Sequence, residues 1–82
     1  MTLREELDLY GCAMSADDFR DLVVEMHHAF APDWTVDRFL CSPSVVLTFV
    51  HATRSRSGAL GLPEDVVCRA LINTRKHKLA PA

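Results

Sequence analysis

Eighty-two residues, 49% of them apolar and 24% charged, with a mean hydropathy of +0.06, fit one small domain around one core. They exclude a chain disordered throughout, and the longest apolar stretch, Val45–Val50, falls far short of the roughly 18 residues that span a bilayer. The net charge of −2 hides a split: residues 1–41 sum to −6 and residues 42–82 to +4. Halves of opposite sign point to a charged partner or to self-association.

The first residues, Met1-Thr2-Leu3-Arg4-Glu5-Glu6, lack the apolar core of a signal peptide, and a cytoplasmic protein is expected. Leu3–Ala13 forms a weakly amphipathic segment through Leu3, Leu7 and Tyr10, limited by Gly11. Ser15 then stands as a helix cap, with Asp17 and Asp18 at the positive end of the dipole. Phe19, Leu22, Val23, Met26 and Phe30 follow the spacing of one helical face, and Pro32 ends that helix. Thr35 caps a short turn to Leu40. Ser42-Pro43 starts the next helix with a capping hydroxyl and a proline in the first turn. Val46, Phe49, Val50 and Thr53 line its inner face, while Thr48 and His51 point to water. The same stretch is rich in β-branched residues, so a strand competes with the helix over Val45–Val50.

Arg54–Gly61 reads as the principal loop, because serines and glycines interrupt the pattern. Pro63 restarts a helix with Glu64 and Asp65 in its first turn. Val67, Ala70, Leu71 and Thr74 fall on one side, flanked by Cys68, and Arg75-Lys76-His77-Lys78 places cations at the negative end. Residues 79–82 are expected to fray. The fold expected is all-α: a small antiparallel bundle of four main helices plus one short helical turn, in a single domain over 1–82. Its core is drawn from Phe19, Leu22, Val23, Met26, Phe30, Val46, Phe49, Val50, Val67 and Leu71.

Catalytic and metal motifs are weak. Cys12, Cys41 and Cys68 are too widely spaced for a zinc site or a disulfide framework, and read as three buried thiols. Asp21, Glu25 and His28 share a helical face that could hold a divalent ion. A carboxylate-bridged pair of metals needs a second such motif, and the chain has one copy, set opposite the apolar stripe. His27, at the stripe's edge, is expected to be structural. The stretch Leu60–Asp65 has the loop–helix form found in acyl-carrier domains. Pro63 and Glu64 stand where the serine that carries the prosthetic arm would be. No catalytic residue, metal or cofactor is therefore expected.

What remains is the basic half. Arg69, Asn73 and Lys76 are spaced to share one exposed face, with Ile72 at its edge as an apolar anchor. Arg75 and Lys78 add charge at its end, and Arg54 and Arg56 sit in the expected loop before it. The expected function is non-enzymatic: a protein–protein interaction module with opposed acidic and basic faces, meeting a protein partner or a second copy. The alternative is a nucleic-acid-binding domain that uses the basic C-terminal helix, although a pI of about 6.0 is low for one.

Overall fold

The computed structural model describes residues 2–79, with side chains over residues 2–74. The chain is all-α, with helices α1 (Leu3–Leu9), α2 (Ala16–Phe30), α3 (Val36–Leu40), α4 (Pro43–Ser57) and α5 (Glu64–Leu79). Among the described residues there is no strand, so Val45–Val50 is helical. The four longer helices and the short α3 make the expected bundle. The expected fraying of 79–82 falls almost wholly on residues outside those described. No helix among the described residues is long and apolar enough to cross a membrane.

Each start has a local cause. Thr2 and Glu5 form a reciprocal capping box on α1, a device the sequence reading missed, and hydrogen bonds from Thr2 hold the Glu5 carboxyl below its usual range. The hydroxyls of Ser15 and Thr35 accept from the backbone N–H of Asp18 and Arg38 at 3.1 and 3.2 Å. Ser42 departs from expectation. Its side chain makes no cap bond, and its carbonyl instead accepts from the N–H groups of Val45 and Val46, with Pro43 in the first turn.

The larger correction concerns residues 54–61. Helix α4 runs on to Ser57 and stops at Gly58, whose φ of +77° is left-handed. Arg54 and Arg56 are therefore helical, and the connection to α5 is short. Serines and arginines inside a helix cost only tenths of a kcal/mol each, so packing decides the boundary.

Helix α2 is central and packs on α1, α4 and α5, while α3 lies against α4 and α5. The radius of gyration, 12.0 Å, is that of a compact chain of this length. Phe19, Leu22, Val23, Met26, Val46, Phe49, Val50, Val67 and Leu71 are buried as expected. Phe30 is not: it lies 42% exposed at the end of α2. Phe39, fully buried on α3, fills the aromatic position instead, joined by Leu7 and Leu62. Thr53 and Thr74 are tolerated inside because their hydroxyls donate to the carbonyls of Phe49 and Ala70 at 2.8 and 2.7 Å. Of the three thiols only Cys12 is buried. Cys68 is half-buried, and Cys41 is exposed where α3 ends.

Candidate interaction surface

The basic residues picked out by sequence lie on two helices, and the three whose side chains are described are all engaged within the chain. Arg69 projects from α5 and is half exposed, with one guanidinium nitrogen 3.0 Å from Glu6 on α1 and 3.0 Å from Asp65, one turn back. The Glu6 side chain is only 12% exposed, so this cation neutralises a carboxylate that the fold has largely removed from water. Arg56 reaches Glu25 on α2 at a looser 3.5 Å, with both side chains exposed. Arg54 donates from Nε to the carbonyl of Leu62 at 2.7 Å, tying α4 to the residue before Pro63.

Arg69 and Arg56 thus pair across the charge split, each with a carboxylate of the acidic half. The two halves meet inside the molecule, where only an outside partner had been expected. Arg69 had been expected on an open exposed face, and it is instead held by two carboxylates. In the fold, a glutamate there would face Glu6 and Asp65.

Asn73 is exposed as expected. Ile72 is not a free anchor, since it is partly buried and packs against the core. Lys76, Arg75 and Lys78 have side chains outside those described.

The larger apolar surface lies elsewhere. Leu9 (61%), Leu47 (51%) and Leu60 (74%) stand in water, and Tyr10 and Phe30 are partly uncovered. Leu47 lies on α4 at the side of the buried face formed by Val46, Phe49 and Val50. Leu60 sits in the turn between Gly58 and Gly61. Thr48 and His51 were expected to face water and do, and Ser44 and Leu47 are exposed with them, but nothing in the sequence marked Leu60 as uncovered.

Other constellations offer little chemistry. Asp21, Glu25 and His28 are all exposed, and Glu25 is engaged by Arg56. Among the described residues no three His, Cys, Asp or Glu side chains are grouped to hold a metal ion. A cleft between α1 and α2 is lined by Arg4, Asp8, Cys12, Met14, Ser15 and Asp17, among others, and no histidine lines it to serve as a base for Cys12.

His27 is a titratable group in an unusual setting. Its Nε2 is buried with no hydrogen-bond partner among the described residues, and its ring meets Phe39 edge to face at 4.9 Å. Burial holds its pKa below the ordinary histidine value. The Trp34 backbone pulls weakly the other way, and His28 adds a smaller push down. Compared with known proteins, the chain matches no family model, no curated sequence and no solved structure.

Proposed function

We propose that this chain is a non-enzymatic protein–protein interaction module. The observation that carries the reading is the apolar surface of α4 and the turn after it, where Leu47 and Leu60 are left uncovered beside arginines engaged within the chain. Single exposed leucines are ordinary on a protein surface. Two of them on one helix–turn unit, with His51 one turn after Leu47 and Arg54 two turns after it on the same side of α4, fit the composition of a small interface: apolar anchors beside polar side chains. A cytoplasmic location suits three unpaired thiols, which a reducing compartment preserves.

The internal pairing of Arg56 and Arg69 weighs against nucleic acid as the partner. A groove-binding helix needs cations free to meet phosphates, and a phosphate contact by Arg54, Arg56 or Arg69 would first break a bond to Leu62, Glu25, Glu6 or Asp65.

The test is photo-crosslinking in the native host from a benzophenone amino acid placed at Leu47 or Leu60, with exposed Asp18 in the first turn of α2 as the control position. Protein adducts from the two leucines and none from Asp18 are expected. A ladder that contains only multiples of this chain identifies a second copy as the partner. Absence of leucine-specific adducts sinks the reading, and a duplex DNA mobility shift at physiological salt would promote nucleic acid in its place.

A further inference from the structure

His27 lies one turn before the end of α2, among the apolar helical neighbours Val23, Val24, Phe30 and Ala31. Its ring stands at 83° to Phe39 of α3, and Phe39 stands at 88° to Phe49 of α4, with centroids 5.0 Å apart. The three rings join three helices edge to face. A neutral imidazole suits that place, because an aromatic edge can rest against a ring that carries no charge.

An imidazolium does not. It would need acceptors for two N–H groups, and among the described residues Nε2 has no partner. Among the described residues, the ionisable groups on the surrounding elements are exposed or engaged elsewhere. His28 is adjacent and exposed, and its charge opposes a second one. Asp37 and Arg38 of α3 are exposed, as is His51 of α4. Arg56 is engaged by Glu25, and on α5 Arg69 and Asp65 bond to each other.

The element with least to lose is α3. It has five residues, too few to persist as a helix alone, and is held chiefly through Val36 and Phe39.

We propose that the His27–Phe39–Phe49 stack is a pH-sensitive latch, in which neutral His27 keeps α3 docked and proton uptake by His27 releases it. Release would take Phe39 from the core and open the side of α4 that α3 covers, adding apolar surface under mild acid. The latch stands independently of the partner reading above.

Trp34 is the sole tryptophan and lies in the α2–α3 turn, with the Arg38 guanidinium 4.5 Å over its ring. Its emission between pH 8 and pH 5 therefore reports on α3, while far-UV circular dichroism follows the four longer helices. The expected result is a red shift of Trp34 below about pH 6.5, the ordinary histidine value, with most helical signal retained. His27→Phe removes that transition and His28→Gln keeps it. The latch is overturned if Trp34 does not respond, if it responds only together with loss of all helical signal, or if His27→Phe leaves the transition in place. Because His27→Phe can fail to fold, the imidazole protons of wild-type His27 and His28 are titrated by NMR as well. A His27 midpoint at or above the ordinary histidine value of about 6.5 also overturns the proposal.

Discussion

Arg69 on α5 holds the carboxylate of Glu6 on α1 at 3.0 Å, across 63 positions of sequence. The pair is asymmetric: the Glu6 side chain is 12% exposed and that of Arg69 is 52% exposed. The carboxylate has given up most of its water and depends on the cation, whereas the cation keeps half of its own. Removing the cation should therefore hurt more than an ordinary surface ion pair would imply.

Arg69→Ala is expected to cost about 1–3 kcal/mol, between the values for exposed pairs and for a buried charge stripped of its partner. The check is the urea midpoint. Glu6→Gln should cost less, since it removes the charge together with the need for it. In the double mutant the two losses should not add, which identifies a direct coupling. Equal midpoints for Arg69→Ala and wild type would show that the pair contributes nothing.

The aromatic stack should dominate core stability. Phe39 and Phe49 are both fully buried and touch each other. Phe49→Ala should cost about 3–5 kcal/mol, a large part of what so small a domain holds. Phe39→Ala should cost nearly as much even though α3 is short. Phe30→Ala, with that ring 42% exposed, should fall well below both in thermal melts.

His27 also sets a direction for stability against pH. Its folded pKa is depressed, so the unfolded chain takes up the proton more readily. Stability from this group is complete above the unfolded value of about 6.5 and is lost as pH falls through it toward the folded value. Urea midpoints should drop between pH 7 and pH 5, and His27→Gln should flatten that drop. A midpoint that rises with acid over this window would contradict the assignment.

The thiols should react in order. Cys41 is exposed and should label first with a maleimide or Ellman's reagent. Cys68 should lag, because burial pushes its pKa up and the nearby Glu64 and Asp65 push the same way. Cys12 should label only as the chain unfolds. Mass spectrometry of timed digests gives the order, and rapid labelling of Cys12 in the native state would mean that the packing around α1 is wrong.

At Gly58 the left-handed φ of +77° closes α4, and a Cβ there would meet nothing within 4 Å. Gly58→Ala should therefore cost only the backbone term, about 1 kcal/mol, and Gly58→Asn less, since asparagine enters that region more readily. A much larger loss in the melting temperature would require a contact that the fold does not contain.

The sequence by itself determined the helical class, the caps at Ser15 and Thr35, the breaks at Gly11 and Pro32, and the inner faces of α2, α4 and α5. These depend on interactions within one turn or on a 3.6-residue period, both of which are local. Even the β-prone Val45–Val50 resolved as a helix, because its buried residues Val46, Phe49, Val50 and Thr53 keep helical spacing. Tertiary structure decided what no local rule reaches. It set Phe39 rather than Phe30 in the aromatic cluster, because Phe30 sits where α2 runs out of neighbours. It carried α4 through Arg54 and Arg56 to Gly58, and it partly covered Ile72. Above all, it joined the acidic and basic halves through Glu6–Arg69 and Glu25–Arg56. Charge counts show that two halves differ in sign, but only the folded path of the chain determines whether they meet each other or wait for something else.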